Sequence, residues 1–174
     1  MNEIKIAGIV TKIDKNIFNK KQFDEDIAWI QNKYGFFAVG IDKILCKSIN
    51  VGDNILLFGE LKNKCINKDD KNDKILYISA NRIYQNDRNL EMAKIKISLK
   101  LNKIVSILGQ TSLIFADFEG KTLNLETNYD VKLSSESFAQ ISGYIMPHVL
   151  DKHNLLEYII KVDKIENVNE RERG

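Results

Sequence analysis

Proline occurs once, at Pro147, cysteine twice, at Cys46 and Cys65, and tryptophan once, at Trp29, in a chain of 174 residues. Two cysteines without a CxxC spacing make neither a disulfide framework nor a zinc site, and point to a reducing, cytoplasmic compartment. No run approaches 18 uncharged apolar residues, so no membrane-spanning helix is expected. The opening MNEIKIAGIVTKIDK lacks the basic start and long apolar stretch of a secretory leader. A large excess of charge of one sign is missing too. With 26 basic and 24 acidic groups the net charge is +2, which excludes a polycation that coats nucleic acid with its whole surface. A nucleic-acid site, if present, must be a local patch. No GxGxxG and no P-loop occurs. What the chain has is apolar residues, 44% of the total, enough to bury the core of one domain or two small ones. Ile, Lys and Asn dominate, as in proteins of AT-rich genomes, so the lysine count alone carries no functional weight.

Scarce proline with abundant Ile, Val, Phe and Tyr favours strands. Strands are expected at Ile4–Ile13, Asp24–Gln31, Phe36–Asp42, Asp53–Leu61 and Ile75–Tyr84. Asn32-Lys33-Tyr34-Gly35 turns the second into the third. Ile44, Leu45 and Ile49 are spaced helically, which puts a helical turn over Asp42–Asn50. The polar stretch NKCINKDDKND, without periodicity, reads as a long mobile loop. The second half repeats the order, with strands at Ile95–Leu108, Ser112–Phe118, Lys121–Thr127, Phe138–Met146 and Leu155–Ile165. Pro147–Asn154 reads as a loop, and Ser134-Ser135-Glu136-Ser137 as a capping sequence. Gly143 lies inside its strand as Gly59 lies inside FGEL, and ILYISANRIYQN and LLEYIIKVDKIEN close the two halves alike. That is an internal repeat, divided in the polar stretch Gln85–Met92.

Five strands with a helical turn between the third and fourth is the order of an OB-fold, a small Greek-key barrel that binds oligonucleotides or sugars on its strand 2–3 face. The expected architecture is all-β with two tandem OB barrels, residues 1–88 and 93–168. One larger sandwich of about ten strands is the alternative. The first half carries net charge +3 and the second −1.

The first half resembles bacterial single-stranded DNA-binding proteins, on NEIKIAGIVTKID, VGDNILLFGELKNK and ILYISANRIYQND with a charged loop before the last strand. Gly8 stands where that family has a glycine in its opening strand. Gly52 stands at the turn before the fourth strand, and Gly59-Glu60-Leu61 ends it. The resemblance covers about half the chain, Asn2–Asp87. It implies single-strand binding, by an accessory copy on a plasmid, phage or mobile element or by a divergent DNA replication protein. It also implies a homodimer, because four barrels per assembly is the family's habit. The ending KIENVNERERG lacks the acidic, hydrophobic-tipped tail by which the family recruits other enzymes, so no replication-hub role is implied.

Single-strand binding needs flat aromatic faces for stacking and cations along the backbone track. Trp29, Tyr34, Phe36 and Phe37 fall in the strand 2–3 hairpin, with Lys12, Lys20, Lys21 and Lys33 in or beside it. Phe36 and Phe37 must point to opposite faces, so only one of them stacks. Trp29 either stacks on a base or fills the core. Lys62 and Lys64, and Arg82 on the last strand, are phosphate candidates, although Asp69, Asp70 and Asp73 offset that loop's charge. Tyr77 and Tyr84, seven residues apart, should face opposite sides. No enzyme is expected. Asp24-Glu25-Asp26 alternates faces, His148 and His153 have no ligand partners at metal spacing, and Cys46 has no nearby His. No cofactor or metal is called for. The leading reading is a non-enzymatic binder of single-stranded DNA, with RNA the alternative polymer. The competing reading is an OB-fold protein-interaction or structural module.

Overall fold

The computed structural model describes residues 1–15, 24–67, 70–150 and 156–168, with the backbone alone at 66–67, 70–73, 149–150 and 156. The first half contains β1 (Asn2–Asp14), β2 (Glu25–Asn32), β3 (Gly35–Asp42), α1 (Lys43–Cys46), β4 (Asn54–Asn67) and β5 (Asp70–Gln85). The second contains β6 (Met92–Ile107), β7 (Thr111–Phe118), β8 (Lys121–Thr127), β9 (Phe138–Leu150) and β10 (Leu156–Asn167). No described helix is long and apolar enough to cross a membrane.

Alternation builds these strands. In β6, Ala93, Ile95, Ile97, Leu99 and Leu101 are buried while Lys94, Lys96 and Ser98 are exposed. The helix is one turn, capped by the Asp42 carboxylate, which accepts the Ile44 and Leu45 amides at 2.9 and 3.4 Å.

β1, β2 and β3 pair antiparallel, β3 lies parallel to β5, and β5 returns through β4 to β1, so the first five strands close on themselves. β6, β7, β8, β10 and β9 close in the same order, again with one parallel pair, β8–β10. The expectation that the halves keep separate sheets does not hold. β1 and β6 pair antiparallel from Asn2↔Ile97 to Ala7↔Met92 and join all ten strands into one sheet. Each of these strands is long enough to serve two neighbours in succession. The first part of β1 sits between β4 and β6, and its last part, from Ile9, pairs with β2 through a bulge between Val10 and Lys12. β6 has the matching bulge between Leu101 and Lys103. Side-chain alternation reports burial and is silent about such edge pairing.

The internal repeat has a physical basis at its glycines. A Cβ on Gly59 would lie 2.1 Å from the Ser79 carbonyl oxygen, and one on Gly143 would lie 2.0 Å from that of Lys161. Both sit where the fourth and fifth strands of their half cross at a bulge.

Three local expectations need correction. NKCINKDDKND is largely strand: β4 runs to Asn67 and β5 begins at Asp70, in register through Lys64↔Ile75 and Cys65↔Lys74. A hairpin pairs its backbone whatever its side chains, so a ribbon reaching past the closed strands needs no apolar period. β9 likewise continues through Pro147 to Leu150, with Pro147 opposite Tyr158 at a bulge where a missing N–H is tolerated. No described helix starts at Ser134–Ser137; that stretch is a turn closed by the Ser137 hydroxyl donating to the Ser134 carbonyl.

The halves also clasp each other. Asn63 at the β4–β5 hairpin donates to the Phe118 and Glu119 carbonyls at the β7–β8 turn, 3.3 and 2.9 Å away. In the opposite sense the β9–β10 hairpin reaches the β2–β3 turn. There the Ala38 amide donates to the Tyr158 hydroxyl at 3.0 Å, and a Cβ on Gly35 would meet Pro147 at 2.8 Å. One apolar cluster runs through both halves, from Ile4 and Ile30 to Ile141 and Ile160. A smaller cluster, Ile27, Ala38, Ile75 and Tyr77 with Trp29 packed against it, lies apart.

Candidate nucleic-acid interface

β2 sends Ala28 and Ile30 into the main core, so Ile27 and Trp29 go to the other side of the strand. Register carries this outward face across the half. Lys12 lies opposite Trp29, Trp29 opposite Ala38, and Lys62 opposite Tyr77. Ala38 and Tyr77 belong to the same small cluster. The result is a cross-strand band with a lysine at each side; in its middle Ile27, Ala38, Ile75 and Tyr77 are buried, so Trp29 and Phe36 are the rings it presents. Lys64 follows one step along, opposite Ile75.

Trp29 is half-buried, and its indole N–H donates to the Asp14 carboxylate at 2.8 Å, which fixes the ring on the band. Lys12 is exposed and ion-paired to Asp14 at 3.2 Å. Phe36 is 48% exposed. The band rests on a buried polar base. Tyr77 and Ser79 donate their hydroxyls to the two oxygens of Glu25, at 2.6 and 2.5 Å. Burial first, and the bond to Glu25 second, push the Tyr77 hydroxyl well above its ordinary pKa. The Tyr77 ring crosses Gly40 so closely that a Cβ there would lie 2.9 Å from it. Glu25 is thus a structural acceptor in this face. Among the described residues no group of His, Cys, Asp and Glu is placed to hold a metal.

The other expected site residues are distributed differently. Phe37 leaves the list: it is 0% exposed, in the main core, its ring parallel to Tyr158 at 6.0 Å. The strict alternation that exposes Phe36 requires this. Tyr34 sits in the β2–β3 turn against Tyr144 of the second half, centroids 5.6 Å apart, with the Lys33 ammonium 5.3 Å over its ring. Arg82 lies at the far end of β5, 5.0 Å over Phe58 and away from Trp29. Lys20 and Lys21 lie outside the described residues, as does His153. Cys46 is buried, and burial raises its thiol pKa.

Tyr77 and Tyr84 share one side of the sheet, against expectation. β5 places one extra residue, Asn81, opposite the Phe58–Gly59 step, and this bulge inverts the alternation after it. Glu25, Tyr77 and Ser79 are not legible as a unit in the sequence because Glu25 lies more than 50 residues from the other two. Phe58 and Lys5 were also missed. Lys5 sits 5.6 Å over the Phe58 ring, opposite Arg82, and Tyr84 meets that ring edge-on at 5.6 Å.

No known protein family and no curated protein matches the chain. Solved structures do. Wild-type single-stranded DNA binding protein from Thermus aquaticus superposes with a TM-score of 0.64 at 11% identity, covering 100% of this chain and 94% of that one. A deletion mutant of the same protein, carrying R190A, gives 0.63 at 12% identity, covering 98% and 95%. The chain therefore shares its fold, end to end, with an OB-fold protein, and at this identity the likeness concerns the fold alone.

Proposed function

We propose that the protein binds single-stranded DNA without catalysis, through the outward band of its first half. The observation that carries this reading is the band itself: the chain's only tryptophan, held by Asp14, and the exposed Phe36 lie on the strand 2–3 face between Lys12 on one side and Lys62 and Lys64 on the other. Every base has a π-face, so such a platform stacks bases with little regard to sequence, while the flanking ammonium groups follow the phosphates. The two closed sets of five strands, joined in one ten-stranded sheet, are taken as tandem OB barrels, residues 1–88 and 93–168, and the closure of each set on itself is what supports that reading. In the second half the corresponding row is Lys103, Phe115 and Asn124, with Phe115 in the place of Trp29. Where the first half sets the exposed Phe36 one step from Trp29's row, the second sets Thr122, so the first half carries most of the binding energy.

The test is fluorescence anisotropy of labelled oligothymidylate at low salt with wild type, Trp29→Ala and Phe36→Ala. Each substitution should weaken binding by about 1–3 kcal/mol and leave the salt dependence nearly unchanged. Lys62→Gln should instead flatten the salt slope by about 0.7. If none of the three changes binding, the band is not the platform. If wild type does not bind at all, the competing reading, an interaction module built on the same fold, replaces this one.

A further inference from the structure

Where β1 and β6 join the halves, one outward row crosses six strands: Arg82, Phe58, Lys5, Lys94, Tyr144 and Lys161, each directly opposite the next. It spans about 24 Å at the ordinary strand spacing. The row holds four cations, two aromatics and no carboxylate. Lys161 is ion-paired with Glu126, whereas Arg82, Lys5 and Lys94 have no ion pair among the described residues. Lys5 and Lys94 are directly opposed, a like-charge pair that costs a sheet stability. Lys5 sits over the Phe58 ring, but folding alone gives no reason to set a second ammonium group opposite it. Of the neighbouring carboxylates, Glu3 lies opposite Lys96, and Glu91 accepts the Lys33 amide at 3.0 Å. Beside the row, Lys5, Lys94 and Lys96 line a groove of about 490 Å³ with Tyr34 and Tyr144, where Glu3, Glu91 and Asp163 balance their charge, so the cationic excess lies on the row itself. Tyr84, one step along from Arg82, is 49% exposed.

We propose that this row is a second track for the single strand, leading it across the junction from one half to the other. Phosphates lie on Arg82, Lys5 and Lys94, and a base lies against Tyr84, whose ring is braced edge-on by Phe58. The charge of the row itself, four cations with no carboxylate, selects this occupant. A second copy docked on the same face would bring two such cation rows together. The inference rests on the single-strand reading above, and the two can fail separately.

The experiment uses the full chain and the variant Arg82→Gln/Lys5→Gln/Lys94→Gln. Oligothymidylates of about 8 and about 30 nucleotides are compared, lengths that fill one fold and two. The long strand should lose about a hundredfold in affinity near 0.1 M salt, and its salt slope should flatten by about 2, from about 0.7 per contact. The short strand, held by the Trp29 band, should bind as before. The variant should melt close to wild type, because relief of the opposed like-charge pair offsets the loss of the Lys5 and Arg82 contacts to the Phe58 ring. Equal loss for both strands, or no loss for either while Trp29→Ala still weakens both, overturns the track and leaves the first reading intact. Light scattering that shows wild type as a dimer and the variant as a monomer also overturns it, in favour of a self-association face. Failure of wild type to bind either strand removes the first reading, and this one with it. If the triple variant unfolds, Lys94→Gln alone is compared, with about a fivefold loss expected for the long strand only and no loss refuting the track.

Discussion

Removing one hydroxyl tests how the band is built. Tyr77→Phe deletes the donor 2.6 Å from one oxygen of Glu25 and keeps the ring over Gly40. Glu25 is then a buried carboxylate with the Ser79 hydroxyl, 2.5 Å from its other oxygen, as a remaining side-chain donor. A buried acceptor that loses a partner costs about 1–3 kcal/mol, while the ring's own burial is unchanged. For a chain of this length that lowers the melting temperature by about 2–12 °C. The assay is thermal unfolding by circular dichroism, run also on Glu25→Gln and on the double variant. Tyr77→Phe should cost less in the Glu25→Gln background, with a coupling of about 0.5–3 kcal/mol. Because Trp29 packs on the same small cluster, the emission of that single indole reports whether the face has moved. A Tyr77→Phe protein that melts within about 1 °C of wild type, with costs that simply add, would refute the reasoning.

Gly59→Ala and Gly143→Ala should destabilise alike, by about 1–3 kcal/mol or more in denaturant unfolding, because each new methyl would overlap a carbonyl across an equivalent bulge. Gly52→Ala has open space and φ +96°, so only backbone strain opposes it and a smaller loss is expected. A fragment of residues 1–88 would expose the edge of β1 that β6 covers, and should self-associate in sedimentation where the full chain does not gain from that edge. The Asp130 carboxyl is held below its ordinary pKa, first by its bond to Lys132 and then by Ser106. The stability it contributes is therefore complete above the unfolded value of 3.8 and is lost as pH falls through the lower folded value. Asp130→Asn should remove that part of the acid-induced loss in pH-dependent melting.

The strand order was legible because burial alternates cleanly where a strand separates core from solvent. β6 and β8 show it residue by residue, and the expected bounds of β8 match. The opposed fates of Phe36 and Phe37 followed from the same period, and the Gly59–Gly143 correspondence from spacing alone. Three things were hidden for physical reasons. The β1–β6 ladder is made of backbone edges, which leave no mark on side-chain period. The bulge at Asn81 resets the alternation, so counting from Tyr77 to Tyr84 gave the wrong face. Of the candidate site, Trp29, Phe36, Lys12, Lys62 and Lys64 come together, and Arg82 and Tyr34 fall at the junction instead. The Glu25–Tyr77–Ser79 unit joins strands that only the closed fold makes neighbours.

The central claim is that bases stack on the Trp29 face, and the chain's single tryptophan makes it directly observable. Oligothymidylate is titrated into the wild-type protein at low salt while the indole emission is followed. The account predicts saturable quenching that weakens steeply as salt is added. Binding detected by anisotropy with no change in Trp29 emission, or no binding at all, would contradict it.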